Sequence, residues 1–174
     1  FCAGVIMELS NPIALENYYE IECHGPDGQL KWRETIENLV TTEGLNDILD
    51  KYFKGSTYTA AWYVGLTSGT PTVSAGDTMS SHAGWTEIAD YSESVRQTLT
   101  LGSVSGGSVS NTASKATFSI NGTVTIGGAF VVSVSTKSGS TGVLYGAGAF
   151  TGGNKSASSG DSLTVTVTLT AAAS

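Results

Sequence analysis

The stretch from Leu163 to Leu169 is the part of the sequence that most restricts the possible fold. Its apolar residues, Leu163, Val165, Val167 and Leu169, alternate strictly with threonines. Successive side chains of an extended strand point to opposite faces, so this pattern predicts a strand with one face on a core and a threonine face in water. One strand cannot bury its apolar face alone, and the chain must therefore supply partner strands.

Several earlier runs have the same period of two and are predicted strands. They cover residues 60–66, 95–101, 115–120, 128–134 and 142–150. Loops dense in glycine and serine separate the later runs, and no helical pattern lies between strands to make a parallel crossover. Many short strands with frequent turns are typical of antiparallel sandwiches. The sequence therefore predicts an all-β fold, an antiparallel β-sandwich.

One short α-helix is predicted over residues 42–54. Thr42 is a suitable N-cap, Glu43 suits the positive end of the helix dipole, and Gly55 suits the C-terminal end. The apolar residues recur at helical spacing, at Leu45, Ile48, Leu49 and Tyr52. Such a stripe is expected to pack on the core.

A β-hairpin is predicted before the helix. Alternating runs at residues 18–23 and 30–36 flank the sequence HGPDG, and Asp-Gly between two such runs favours a tight turn. A hairpin is marginally stable alone, and large side chains are enriched in interfaces. We therefore expect Tyr18, Tyr19, Ile21 and Trp32 to lie at a protein–protein interface.

This expectation divides the chain into two parts, an N-terminal arm and hairpin over residues 1–37 and a β-sandwich domain over residues 38–174. The alternative is that the hairpin completes a sheet of the same sandwich. Cys2 and Cys23, the only cysteines, are expected to be reduced thiols, although one disulfide stays possible. The N-terminus has no basic segment leading into a long apolar run, so no secretory signal is expected.

The charge of the chain argues against nucleic acid as a partner. The net charge is −7 with only eight Lys and Arg residues in 174, whereas binding to phosphates needs clustered cations. Residues 1–100 carry a net charge of −9 and residues 101–174 a net charge of +2, which suggests a molecule with two unlike ends. No apolar stretch approaches 18 residues, so no membrane span is expected.

Two groups of residues contain the residue types of catalytic sites, but neither is interpreted as one. Asp77, Ser81 and His82 include the residue types of a hydrolase triad, but the strained nucleophile turn G-x-S-x-G is absent. The carboxylates at positions 87, 90 and 93 are interpreted as a solvated acidic loop in preference to a calcium site or a glycosidase pair. We expect no enzyme activity, and no catalytic, cofactor-binding or metal-binding residues.

Part of the sequence resembles small structural proteins of tailed bacteriophages. The resemblance is found in TEGLNDILDKYF at 42–53, AAWYVGL at 60–66, AGDTM at 75–79 and SHAGWTE at 81–87, and it covers most of residues 28–170. The first 17 residues depart from it. The resemblance implies a virion component, in particular a capsid decoration (cement) protein with a jelly-roll-like sandwich.

Such a protein would be made in the host bacterial cytoplasm and would lie on the outer capsid surface. Its partners would be the major capsid protein and further copies of itself, as a dimer or trimer. The resemblance brings no active-site residues and no cofactor. The alternative is a phage fibre or tail-tip module that binds a receptor or glycan, which the aromatic residues and hydroxyl-rich loops of the chain allow.

Overall fold

The computed structural model describes residues 13–58 and 61–173. Within them the protein is mostly antiparallel β-sheet with a single short helix, so the predicted all-β class is confirmed. The elements are β1 Ile13–His24, β2 Leu30–Val40, α1 Thr42–Tyr52, β3 Tyr63–Ser68, β4 Thr86–Glu87, β5 Gln97–Thr98, β6 Ser108–Ser110, β7 Ala116–Ser119, β8 Val124–Val132, β9 Leu144–Ala149, β10 Lys155–Ala157 and β11 Ser162–Ala173.

The strands form two sheets that share β2. The first sheet has the order β2-β1-β11, with β6 and β7 both paired to β11. The second has the order β2-β9-β8-β3, with β4 and β5 on β3 and β10 on β8. Strand β2 pairs with β1 as far as Asn38 and with β9 at Leu39 and Val40. The jelly-roll-like connection of the strands stays a prediction.

A shared core fills the space between the inner faces of the two sheets. Its central residues are Tyr19, Ile21, Leu163, Val165 and Val167 from the first sheet and Val64, Leu66, Ala129 and Val131 from the second. The predicted facing of the last strand is confirmed, because Leu163, Val165 and Val167 are fully buried and Leu169 is partly buried against the same core, while the half-buried threonines lie on the other side.

A second, smaller apolar cluster covers the outer face of the second sheet. The loop over residues 69–85 folds across this face, and Met79 and Trp85 from the loop pack against Phe130, Val132 and Leu144. This loop is therefore a packed cover of the second sheet. Trp62, the residue before β3, packs against the shared core, whereas Tyr63, the first residue of β3, packs against the smaller cluster on the outer face.

The predicted hairpin is a central part of the first sheet. Strand β1 pairs with β11 along its whole length, from Ile13 opposite Ala173 to His24 opposite Ser162, and with β2 on its other side. Tyr19 and Ile21 are fully buried in the core. The interface prediction is therefore wrong for these two residues, and the hairpin completes a sheet of the sandwich. Residues 1–12 of the predicted arm lie outside the described residues.

The facing of β11 can be tested with Val167→Asp. This change places an unpaired carboxylate in the shared core and should cost roughly 3–5 kcal/mol of unfolding free energy, equivalent to a fall in Tm of about 10 °C or more. The matched control is Thr168→Asp on the opposite face of the same strand, which should melt close to the parent. Equal melting temperatures for the two variants, measured by circular dichroism, would show that the assigned facing is wrong.

Candidate functional site

The first turn of α1 is fixed on strand β9. Thr41 is the N-cap, one residue before the predicted one: its Oγ1 accepts a hydrogen bond from the Gly44 N–H at 3.1 Å, and its own N–H donates to the Tyr145 carbonyl at 3.0 Å. Glu43 Oε2 accepts a hydrogen bond from the Leu144 N–H at 2.8 Å. Gly44 lies so close to β9 that a Cβ there would be 2.5 Å from the Tyr145 carbonyl oxygen.

The rest of α1 presents apolar side chains to solvent. Leu45, Leu49, Tyr52 and Phe53, which we call the helix apolar face, are between 41% and 80% exposed. Leu49 is four residues after Leu45, Tyr52 is three residues after Leu49, and the C-cap residue Phe53 is four residues after Leu49, so the four side chains lie on one side of the helix. The prediction that the apolar stripe packs on the core is therefore wrong except for Ile48, which contacts the shared core.

The orientation of the helix has a local cause. Gly44, Ile48 and Lys51 follow one another at spacings of four and three residues, and this is the side that faces the sheet. Only a glycine allows the helix backbone to come close enough to β9 for the Thr41 cap to bond there. The close contact at Gly44 sets the rotation of the helix, and the larger apolar residues are left outside.

An apolar cleft of about 490 Å³ lies between α1 and the sandwich. Ile48 and Tyr52 line its helix side, and Trp62, Tyr145 and Leu169 line its sheet side. The Trp62 and Tyr145 rings pack edge to face with centroids 5.7 Å apart. A volume of this size is within the usual range for small-ligand pockets, about 300–1,000 Å³.

The base of the cleft is uncharged at neutral pH. Burial raises the pKa of Tyr145, whose hydroxyl donates to Asn17 Oδ1 at 3.4 Å. Burial raises the pKa of the neighbouring Tyr19 well above its usual value. Asp47 and Lys51 stand on the helix side of the cleft with 3.9 Å between Oδ1 and Nζ. The cleft is therefore suited to an apolar or aromatic group.

The structure does not bring the predicted interface residues together. Tyr18 is 47% exposed on the outer face of the first sheet, whereas Tyr19 and Ile21 are in the core. Trp32 is half-buried; its Nε1 donates to the Ser156 carbonyl at 2.9 Å. The role of Tyr18 and Trp32 in an interface stays a prediction. The helix apolar face exposes four large apolar side chains, and helical periodicity alone had predicted that this stripe would be buried.

Glu87 is part of a buried ion pair. Arg96, which is fully buried, donates from Nε and Nη2 to the two carboxylate oxygens of Glu87 at 2.9 and 2.8 Å. Its remaining donors reach the carbonyls of Val134 and Gly139 at 2.9 and 2.7 Å. The solvated-loop interpretation is therefore wrong for Glu87, whose carboxylate holds two loops together.

Asp77 and His82 both serve to fix Trp85. Asp77 Oδ2 accepts a hydrogen bond from Trp85 Nε1 at 3.0 Å, and the His82 ring stacks on the indole with centroids 3.8 Å apart. The Ser81 N–H donates to Thr78. Asp77, Ser81 and His82 therefore each have a structural contact within the packed loop.

Other predicted features can be placed in the same way. Cys23 is a free, buried thiol whose pKa is raised to about 11 by burial and by the nearby Asp161 carboxylate; Cys2 lies outside the described residues. In residues 13–58 and 61–173, no three His, Cys, Asp or Glu side chains are grouped to hold a metal ion. Within the described residues, no helix is long enough and apolar enough to cross a membrane.

Comparison with known proteins gives no family. No model of a known protein family matches the sequence, and no curated protein matches it either.

The outer face of the first sheet is polar, and ion pairs connect side chains of neighbouring strands on it. Glu22 accepts a hydrogen bond from Lys115 Nζ at 2.9 Å and from Arg33 Nε at 3.0 Å. The bond from Lys115, followed by that from Arg33, lowers the pKa of Glu22 to about 2. Glu22 therefore stays ionised in the folded protein at pH values where an ordinary glutamate is protonated.

This shift predicts a loss of stability in acid. Because the folded pKa of Glu22 is below its unfolded value near 4.5, the unfolded chain binds the extra proton, and the stabilisation is lost as pH falls from about 4.5 to about 2. Glu22→Gln should lower stability at pH 6 and should flatten this dependence, whereas Glu37→Gln, at an exposed carboxylate on β2, should keep it. Urea unfolding at several pH values measures both slopes, and parallel slopes for parent and Glu22→Gln would refute the assignment.

The contact between α1 and β9 predicts the effect of Gly44→Ala. In a free helix this change stabilises by up to about 1 kcal/mol, but here the new Cβ meets the Tyr145 carbonyl, and a cost of about 1–3 kcal/mol is expected. Gly76→Ala is the control, because its Cβ would meet nothing within 4 Å. Stabilisation by Gly44→Ala in thermal unfolding would show that the helix does not lie on β9.

Proposed function

We propose that this chain is a non-enzymatic virion structural protein, a decoration or cement subunit that binds the outer surface of a phage head and stabilises capsomer contacts. The observation that supports this is the helix apolar face, where four large apolar side chains are exposed on one side of a short helix. A cluster of exposed apolar residues on one side of a protein is typical of a protein-binding surface. The sequence resemblance to tailed-phage structural proteins gives the class of partner.

The scaffold behind this surface favours docking without rearrangement. The first turn of α1 is held on β9 through Thr41, Glu43 and Gly44, so the helix apolar face needs little ordering on binding. Aromatic residues such as Tyr52 and Phe53 are enriched at the centres of protein interfaces. In this proposal they contact the major capsid protein.

Repetition of identical sites on the shell would raise the apparent affinity of a contact that is weak on its own. A capsid lattice offers many identical sites, and a dimer or trimer of this chain would engage several sites at once, which raises the apparent affinity without new contacts. The proposed location is the outer capsid surface, after synthesis in the host bacterial cytoplasm.

A fibre or tail-tip module that binds a receptor or glycan is the second candidate. The apolar cleft favours it, because Trp62 and Tyr52 line a cavity open to a small ligand. The copy number in the virion separates the two. A decoration protein is present in numbers comparable with the capsomers, whereas a tail-tip module is present in only a few copies.

The helix apolar face can be tested with the double variant Leu49→Glu and Phe53→Glu. Both side chains are exposed, so unfolding free energy should change little, whereas binding to phage heads lacking this chain should weaken at least about tenfold, equivalent to 1.4 kcal/mol. Co-sedimentation with such heads measures this. Asn46→Glu, on the exposed polar side of the same helix, controls for charge, and undiminished binding of the double variant would exclude this surface as the attachment site.

A further inference from the structure

The apolar cleft between α1 and the sandwich is an open continuation of the shared core. Four half-buried side chains line it and also pack against the core, namely Ile48, Trp62, Leu101 and Leu169. Tyr52 and Tyr58, which are 80% and 66% exposed, line the same cleft. A ligand in the cleft would therefore meet side chains that keep accessible apolar surface.

The cleft offers no free charge to a ligand. Among the described residues that line it, Asp47 and Lys51 are the only charged ones, and they pair with each other at 3.9 Å. Burial of a charge without a partner is unfavourable, because the charge loses its water. An anion or a cation in the cleft would lose water and compete with this pair, so an uncharged ligand is favoured.

Aromatic side chains make up a large part of the lining. Trp62 and Tyr145 pack edge to face with ring centroids 5.7 Å apart, and Tyr52 and Tyr58 add two further rings. Aromatic rings attract one another in edge-to-face and offset arrangements beyond the effect of buried area. An aromatic ligand therefore gains contacts here that an aliphatic ligand of equal size does not.

A sugar is a poorer match to this lining. The hydroxyl groups of a sugar need polar partners when they leave water. The hydroxyl of Tyr145 already donates to Asn17 Oδ1 at 3.4 Å, and most of the other lining side chains are apolar. Several hydroxyls buried in this cleft would therefore be left without partners.

The volume of the cleft sets the size of the ligand. An apolar cavity of about 150 Å³ is large enough to bind benzene. The cleft has a volume of about 490 Å³, roughly three times as much, so a bicyclic ring system fits with room for a substituent.

We propose that the apolar cleft binds a small, uncharged aromatic molecule of the size of indole or naphthalene. The cleft is distinct from the proposed capsid contact, because Leu45, Leu49 and Phe53 lie outside its lining and only Tyr52 belongs to both. Ligand binding and capsid binding are therefore tested with different variants.

The test is a titration of the ¹⁵N-labelled full chain with unlabelled indole. The chain has three tryptophans, Trp32, Trp62 and Trp85, and each gives one indole N–H signal. Of these, Trp62 lines the cleft, and its signal is identified by its absence from Trp62→Phe. Indole should shift this signal saturably, with a Kd below about 1 mM, and leave those of Trp32 and Trp85 unchanged.

Further probes define the class of ligand from the same Trp62 signal. Indole-3-acetate is an anion, tryptamine is a cation, and glucose is a sugar; each should bind at least about tenfold more weakly than indole. Cyclooctanol is uncharged and as large as indole but not aromatic, and it should bind at least about threefold more weakly.

Variants of the lining locate the ligand. Leu101→Trp fills part of the cleft and should weaken indole binding at least about tenfold. Trp62→Leu should weaken it at least about threefold, read from the backbone amide of Leu169, whereas Trp62→Phe keeps a ring and should bind nearly as the parent does. The matched control is the double variant Leu49→Glu and Phe53→Glu, which leaves the lining intact and should bind indole as the parent does.

Four results would overturn the proposal. The first is that indole does not shift the Trp62 signal saturably. The second is that cyclooctanol or a charged probe binds as tightly as indole, and the third is that glucose binds and indole does not. The fourth is that the double variant no longer binds indole, which would place the ligand on the exposed helix. Head binding is measured separately, so these outcomes leave the capsid proposal unchanged.

Discussion

The change of partner by β2 is the constraint on which the rest of the structure depends. One strand belongs to both sheets, pairing with β1 through Asn38 and with β9 from Leu39 onward. Helix α1 follows at once, so its N-cap meets β9. The separation of β2 from β1 also opens a polar pocket of about 370 Å³ between the two strands. The exposed helix and the polar pocket are therefore two consequences of one crossing.

Strand β9 can accept this crossing because it has small side chains at the contact. A Cβ at Gly148 would lie 2.1 Å from Ile36 Cγ2, and one at Gly146 would lie 2.8 Å from the Leu39 carbonyl oxygen. Gly44 of α1 has the same relation to Tyr145. Glycines thus set how closely β2 and α1 approach β9, and this approach decides which residues of the helix remain outside.

The sequence predicted those features whose signal is local. Strict alternation gave the facing of β11, and capping residues gave the position of α1 to within about two residues. The side of α1 that faces the sheet depends on β9, about 100 residues away, and no helical periodicity contains that contact. The burial of Tyr19 and Ile21 likewise depends on pairing with Val167 and Val165. Asn17 and Asn38 are ordinary polar positions until pairing brings them together.

The acidic first half and the near-neutral second half of the sequence do not form separate regions of the folded protein. Three of the four charged residues after position 100 pair with the first half: Lys115 with Glu22, Lys155 with Glu34 at 2.7 Å, and Asp161 with Lys31 at 2.6 Å. The fourth, Lys137, lies over the Tyr91 ring, with Nζ 4.0 Å from its centroid. The acidic and near-neutral halves are thus folded into each other, and the expectation of two unlike ends is wrong. What distinguishes one side of this molecule from another is the helix apolar face, which is set by packing at Gly44 and not by charge.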